Sequence, residues 1–461
     1  MATGVPKGKL SSLDAGSIRL DYPGKKSAEE ILRTPAAESR SLLSPTSESV
    51  RRLYFGENAG ILSALKKDKD VDGKVRLVYI DPPFATKSVF HSRTQKHAYE
   101  DVLAGPEFLE FLRERLVLLH SLLAEDGALY LHLDDKMVFH AKLILDEVFG
   151  PSNFRNCITR KKCNPKNYTR RQFGNVADYI LFYSKSSQFV WNKPVEPWTP
   201  ERAKEYQYVD PDTGRRFMKV PVHAPGVRNG ETGKPWRGML PPPGKHWQYS
   251  PAVLDAMDAR GEIFWSSSGN PRRKVYLDQS DGVGVQDIWL DFRDAHNQNV
   301  CITGYPTEKN PNLLKRIIEA SSSPGDLVLD CFAGSGTTLA VAEELGRQWI
   351  GVDNSEESLR TILQRFQHGT KPMGDFASER ATESKKKSAS QVALFDQTDE
   401  PMSEPVPQER SAVTGFSLLA SADLVDVAAR VLEDAYRYSG EVSPPKSVKE
   451  RAPYRKRKKQ A

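Results

Sequence analysis

An acid, two prolines and an aromatic ring stand in succession at Asp81-Pro82-Pro83-Phe84, directly after Val75-Arg76-Leu77-Val78-Tyr79-Ile80. The β-branched, apolar run predicts a buried strand. Proline lacks an amide N–H and fixes φ, so the ladder stops there. The strand therefore delivers Asp81 and Phe84 to a stiff turn at its carboxyl end, where ligands sit in open α/β sheets. A carboxylate at that place can accept hydrogen bonds, and a ring can stack on a flat ligand. Taken alone, the tetrapeptide also suits an ordinary strand-ending turn.

A second constellation lies far downstream. Leu327-Val328-Leu329-Asp330 reads as a strand, Phe332-Ala333-Gly334-Ser335-Gly336-Thr337-Thr338 as a glycine-rich turn, and Trp349-Ile350-Gly351-Val352-Asp353 as the next strand beyond a helix. Glycines let the backbone approach a ligand closely. An acid closing the following strand, here Asp353, is placed to bind ribose hydroxyls. A phosphate-binding loop needs Lys before Ser or Thr, and Gly336 is followed by Thr337, which disfavours ATPase chemistry. A dinucleotide turn carries a third glycine, and Thr338 stands in that region. A nucleoside ligand without a pyrophosphate fits best, S-adenosylmethionine foremost.

The elements that must hold these turns alternate. A short strand near Arg51–Phe55 precedes a helix through Ile61, Leu62 and Leu65. Phe108, Phe111, Leu112, Leu116, Leu119 and Leu123 recur at helical spacing. Ala128–Asp135 and Tyr179–Tyr183 read as strands, and Leu313, Leu314, Ile317 and Ile318 as one helix face. This alternation predicts an α/β fold, a doubly wound and mostly parallel sheet. Six of the seven tryptophans fall between 186 and 290, amid frequent Pro and Gly, which marks a separate, irregular insert at 186–300 whose tryptophans are mostly core. The remaining segments are a flexible arm at 1–50, sheet halves at 51–185 and 301–370, and a polar tail at 371–461. That tail holds one helix through Leu424, Val427, Val431 and Leu432, with Ser421 as N-cap, and ends in a basic cluster at Arg455–Lys459.

The chain has 461 residues, 27% charged and 38% hydrophobic, with a net charge of +6. It has length for two or three domains. It lacks an apolar run of membrane-spanning length and an apolar leader at the N-terminus. The four cysteines show neither CxxC spacing nor a His pair, so neither a zinc site nor a disulfide framework is expected, and the cytoplasm is the expected location. The mildly basic balance permits a nucleic-acid partner. Between Arg155 and Arg171 seven Lys or Arg occur with no acid. Arg160, Lys161, Lys162, Lys166, Arg170 and Arg171 are the candidates for phosphate contact; a solvated charged face is the other reading.

The pair Asp81-Pro82-Pro83-Phe84 and Phe332-Ala333-Gly334-Ser335-Gly336 resembles the motif pair of the DNA amino-methyltransferases, and their order resembles the beta class. The likeness extends to Gly56-Glu57-Asn58 and Tyr305-Pro306-Thr307-Glu308-Lys309. It departs at Asn310, which separates Lys309 from Pro311, at Cys331 and at Glu57. The resemblance implies a circularly permuted, Rossmann-like methyltransferase sheet interrupted by a target-recognition domain. It implies methyl transfer from S-adenosylmethionine to the N6 amine of an adenine flipped out of double-stranded DNA. Asp81 and the Pro82 carbonyl would orient the amine, Pro83 would stiffen the turn and Phe84 would stack on the base. Gly56, Glu57, Asn58, Thr307, Lys309, Asp330, Phe332, Gly334, Gly336, Thr337 and Asp353 would form the cofactor site. Glu57 would meet the adenine ring, and Thr307 and Lys309 would close the pocket. No metal is called for, because the leaving group is already cationic. N4-cytosine methylation, an RNA substrate, or a silent nucleic-acid-binding partner of another catalytic chain are the alternatives. A second copy of the chain or a restriction subunit is the expected protein partner.

Overall fold

The computed structural model describes residues 18–44, 50–83, 89–91, 97–100, 105–164, 171–279, 282–294, 301–372 and 415–438. In chain order the elements are α1 (Ala28–Leu32), β1 (Ser39–Leu43), β2 (Arg51–Phe55), α2 (Asn58–Leu65) and β3 (Val75–Ile80). Then come α3 (Pro106–Leu122), β4 (Leu123–Leu133), α4 (Val138–Phe149), β5 (Phe154–Lys161) and β6 (Ala177–Ser184). The insert carries β7 (Tyr208–Val209), β8 (Arg216–Pro221), α5 (Pro251–Ala259), β9 (Ile263–Trp265) and β10 (Pro271–Tyr276). The chain returns through β11 (Ile288–Trp289), α6 (Pro311–Ser321), β12 (Leu327–Asp330), α7 (Thr337–Glu344), β13 (Gln348–Asp353) and α8 (Glu356–His368). It closes with β14 (Ser417–Ser421) and α9 (Val425–Tyr438).

Ten strands form one sheet in the order β1-β14-β2-β13-β12-β3-β4-β6-β5-β11. From β14 to β4 every neighbouring pair is parallel. Antiparallel pairing enters at β6, which runs against both β4 and β5, and at the β1 edge. The expected α/β, mostly parallel sheet is what the chain forms. β3 lies at its centre, with Val75, Val78 and Ile80 in one core with Ile61, Leu112, Leu116 and Leu145 of α2, α3 and α4. Leu77 and Tyr79 alternate to the other face and are equally buried. A strand buried on both faces requires helices on both faces, which is why its sequence reads as an apolar run broken only by Arg76 near its start.

The contact pattern divides the chain into two compact units, Lys193–Val285 and the remainder. The smaller unit is therefore shorter than the 186–300 insert expected from composition: Ile288 and Trp289 pair in parallel with Thr159 and Arg160 of β5 in the large sheet. Within it, Trp236 and Trp247 are core with Val222, Leu254, Met257 and Ile263, while Trp265 packs at the margin. Trp198 is half-buried, and Trp191, which lies in the larger unit, is exposed.

Both chain ends depart from expectation. Residues 18–44 are not a loose arm. Ile31 is buried, the Tyr22 hydroxyl donates to Glu110 Oε2 at 2.7 Å, and Lys25 Nζ meets Glu147 at 2.6 Å. Nor is the C-terminal region only a linker with a helix. β14 inserts between β1 and β2, so Ser421 ends a strand and α9 begins at Val425. The Arg455–Lys459 cluster lies outside the described residues.

Candidate active site

The carboxyl ends of β2, β3, β12 and β13 converge on one cavity of about 370 Å³. β3 contributes Asp81, Pro82 and Pro83; Phe84 lies outside the described residues. β2 leads to Gly56, Glu57 and Asn58, β12 to Asp330 and the glycine turn, and β13 to Asp353. The segment Tyr305–Lys309 completes the wall. Of the residues expected to form the cofactor site, Gly56, Glu57, Asn58, Thr307, Lys309, Asp330, Phe332, Gly334, Thr337 and Asp353 all line this cavity. Gly336 does not. It stands at the start of α7 with φ of 72°, and a Cβ there would come within 2.8 Å of Ile362 Cγ1. Its role is to let the turn enter the helix against α8, since only glycine takes that backbone shape without strain.

The glycine turn is held from behind by the next strand. Asp353 Oδ2 accepts from the Gly334 amide at 2.8 Å, and Oδ1 accepts from the Ser355 amide at 2.8 Å. Ser358 Oγ donates to the Gly334 carbonyl at 2.6 Å. Arg365 Nε donates to the Ser335 carbonyl at 2.7 Å, and its other end pairs with Glu308. Glu308 in turn accepts from the Thr303 amide at 2.9 Å. This buried Arg365–Glu308 pair ties the turn to the Tyr305–Lys309 segment, and reading the sequence missed it because its two members are 57 residues apart. Thr337 Oγ1 is engaged by Ser335 Oγ at 2.8 Å and by Arg365 at 3.1 Å.

Asn58 and Glu57 link the two turns. Asn58 Nδ2 donates to the Cys331 carbonyl at 2.9 Å, and its Oδ1 accepts from Arg115 Nε at 2.8 Å. Glu57 caps α2 by accepting from the Gly60 amide at 3.0 Å and pairs with Arg115. Burial pushes its carboxyl up, but the Ala59 and Gly60 amides and Arg115 outweigh that and hold it below the usual range. Asp330 is the opposite case. Its burial dominates, opposed by Thr338 and the Phe332 amide, and its carboxyl is raised to about 7.

Asp81 pairs with Lys309 through one carboxylate oxygen, Oδ2. Its other oxygen, Oδ1, is buried and has no hydrogen-bond partner among the described residues. A buried acceptor left without a donor is costly. Here it belongs to a residue that lines the cavity shared with the glycine turn. Thr307, whose carbonyl accepts from Lys309 Nζ at 3.3 Å, has a left-handed φ of 59°. Such strain in a β-branched residue is concentrated at functional sites.

Beneath the Asp81-Pro82-Pro83 turn runs a buried polar chain that the sequence did not disclose. The Tyr79 hydroxyl meets His132 Nδ1 at 2.8 Å, and His132 Nε2 meets Asp178 Oδ2 at 3.0 Å. Arg160 binds Asp178 at 2.7 Å, Asp294 at 2.6 Å and the Phe292 carbonyl at 2.6 Å. Burial works to raise the Asp178 carboxyl, but His132, Arg160 and Lys309 together hold it well below the usual range. Arg160 is thus no phosphate contact: it has 0% exposure and all its charge is spent inside the protein. The first half of the basic run is strand β5. Lys161 and Lys162 are half-buried and Arg171 is exposed, while Lys166 and Arg170 lie outside the described residues. Among the described residues no group of three His, Cys, Asp or Glu side chains is placed to hold a metal, and no helix is long and apolar enough to cross a membrane.

The family model described as DNA methylase matches residues 75–364, which takes in the Asp81 turn, the smaller unit and the glycine turn. The type II methyltransferase M.EcaI of Enterobacter cloacae is 47% identical over 373 residues, covering 78% of this chain and 80% of that protein. The Mod subunit of the type III restriction-modification enzyme StyLTI of Salmonella typhimurium is 26% identical, over 72% of this chain and 56% of that protein. Among solved structures, a DNA modification methylase of Thermus thermophilus complexed with S-adenosyl-L-methionine aligns with a TM-score of 0.36 at 18% identity. That alignment covers 68% of this chain and 93% of that one. The chain belongs to the N6/N4 family of DNA methylases.

Proposed function

We propose that this DNA methyltransferase moves a methyl group from S-adenosylmethionine to the N6 amine of an adenine swung out of double-stranded DNA. The observation that carries the reading is Asp81 Oδ1, a buried acceptor with no partner among the described residues, on the wall of the cavity that the glycine turn also lines. An adenine amine is a poor nucleophile because its lone pair is delocalised into the ring. Accepting its protons at Asp81 Oδ1 and at the Pro82 carbonyl favours a tetrahedral nitrogen with the lone pair free. Orientation is the larger effect, and strong general-base action is not required. Lys309 keeps the other Asp81 oxygen engaged, so the carboxylate presents one defined face. The aspartate at the first position of the turn favours adenine over cytosine, by its resemblance to the adenine-modifying members of the beta class.

When bound, S-adenosylmethionine supplies an electrophilic methyl on a cationic sulfur. The residues present suit it. Gly334 offers close backbone approach, and Asp353 is held by two amides yet retains lone pairs for ribose hydroxyls. Glu57 would meet the adenine ring of the cofactor. The base must leave the duplex to reach a cavity at strand ends. We assign recognition of the DNA sequence to the Lys193–Val285 unit. The relatives named as a type II methyltransferase and a type III restriction-modification Mod subunit support a restriction-modification setting; we propose the cytoplasm as its location and a nuclease or a second copy as its partner.

The test is nucleoside analysis of DNA from cells expressing the protein. N6-methyladenine is the expected product; N4-methylcytosine alone would overturn the adenine assignment. Asp81→Ala should abolish transfer while S-adenosylmethionine binding persists. Retained methylation in a digestion-protection assay would refute the role given to Asp81.

A further inference from the structure

The smaller unit contains a four-stranded antiparallel sheet in the order β7-β8-β10-β9. Its register sets Tyr208 opposite Phe217, Lys219 opposite Lys274, and Phe264 opposite Arg272. Because alternate residues share a face, these six side chains stand together on one side of the sheet. The face interleaves aromatic rings with cations. Lys219 sits at its middle, with Nζ 3.5 Å from the Tyr208 ring centroid and 3.4 Å from that of Phe264.

Two rings hold this ammonium through their π faces without neutralising it. No carboxylate pairs with Lys219 among the described residues. The acid available to the face, Asp210, is consumed by Lys274 at 2.9 Å and by the Tyr276 hydroxyl. Several other cations of the unit are matched by acids: Arg215 with Asp278, Arg237 with Asp255 and Asp258, and Arg260 with Glu262. Arg272 is exposed on the same face as Lys219. Burial, then Lys245 and Arg272, push the His223 imidazole below its usual range, so both cations act on that ring. Uncompensated positive charge therefore gathers at this face and its margin. A lysine clamped between rings loses little further freedom on meeting an anion, so its contact is worth more than that of a free surface lysine.

We propose that this face of the β7-β8-β10-β9 sheet seats the DNA backbone, with Lys219 as a fixed phosphate contact and Arg272 as a second. This deepens the reading of the unit as the recognition element and rests on it. Contacts of this kind set register on the duplex without reading bases. Their signature is salt dependence, because each neutralised phosphate releases counterions.

The experiment is fluorescence anisotropy of the full-length protein with a mixed-sequence duplex, titrated across potassium chloride concentrations. Lys219→Gln should weaken binding several-fold and reduce the log–log salt slope by about 1. Lys219→Arg should restore the slope, since Arg keeps both the charge and the ring contact. The thermal melt and S-adenosylmethionine binding should not change. An unchanged slope in a normally melting Lys219→Gln protein overturns the proposal. If that variant melts early, Arg272→Gln decides by the same slope, because its side chain is exposed. Tighter binding of single-stranded RNA than of duplex DNA overturns the choice of partner. Failure of the methyl-transfer reading is separable: a wild-type protein that makes no N6-methyladenine yet shows the Lys219-dependent slope retains this surface. A wild-type protein that methylates adenine with a Lys219-independent slope does not.

Discussion

Replacing Arg160 by methionine removes a guanidinium with 0% exposure while keeping the length of its stem. Three acceptors lose their donor: Asp178 at 2.7 Å, Asp294 at 2.6 Å and the Phe292 carbonyl at 2.6 Å. Their losses differ in size. The Asp294 side chain is 38% exposed and can turn to water, whereas that of Asp178 is 7% exposed and keeps His132 at 3.0 Å as its direct partner among the described residues. Breaking a buried pair by deleting one partner costs about 3–5 kcal/mol, mainly through the charge left behind. With His132 still in place, the lower end of that range is expected. For a unit of this size that corresponds to a fall in Tm of roughly 5 °C. Asp178→Asn in the same chain should recover part of the loss, because the stranded charge is gone, and the double-mutant cycle measures the coupling. The assays are thermal unfolding followed by circular dichroism and duplex binding across salt. The salt slope should not move, since Arg160 reaches no phosphate. A variant that melts like the wild type but loses about one unit of slope would refute the buried-network account and restore Arg160 to the DNA surface.

Gly56→Ala would place a Cβ 1.9 Å from Ser421 Oγ and 3.1 Å from Ile61 Cδ1, so it should destabilise the protein. The cost is about 1–3 kcal/mol in urea unfolding. Ser421→Gly as a second change should recover most of it; no recovery would mean that β14 does not seat against the Gly56 turn. Asp330 is raised to about 7 by burial. Between about pH 4 and about pH 7 the unfolded chain has lost this proton and the folded one has kept it, so stability falls as pH rises through that window and is flat above it. The total is on the order of 4 kcal/mol. Asp330→Asn should lose that decline, read as urea midpoints at about pH 5 and about pH 8; an identical decline in the variant would assign it to other groups.

The two turns were legible in the sequence because each is written locally. Val75–Ile80 is apolar on both faces and stops at two prolines, and the glycine turn sits between two strands that each end in an acid. The ends of the chain were not legible for the converse reason. Ser417-Leu418-Leu419-Ala420-Ser421 is five residues with no turn signal, and only β1 and β2, hundreds of residues upstream, decide that it is a strand. Arg160 misled in the same way. Its neighbours in sequence are cations, so it reads as part of a charged face, while its partners Asp178 and Asp294 lie 18 and 134 residues away. Local charge density records what is near in the chain; burial is set by what is near in space.

Lys309 carries the same contrast into the site itself. By resemblance it belongs with the cofactor wall, and it does line that cavity, yet its ammonium pairs with Asp81 from the opposite half of the sheet. The segment that carries it is fixed by Glu308, which Arg365 of α8 holds, and Arg365 also donates to the Ser335 carbonyl of the glycine turn. One run of contacts therefore leads from the glycine turn through Arg365 and Glu308 to Lys309 and on to the carboxylate that would receive the amine. The free Asp81 oxygen is thus presented by the cofactor half of the sheet as much as by the strand that bears it.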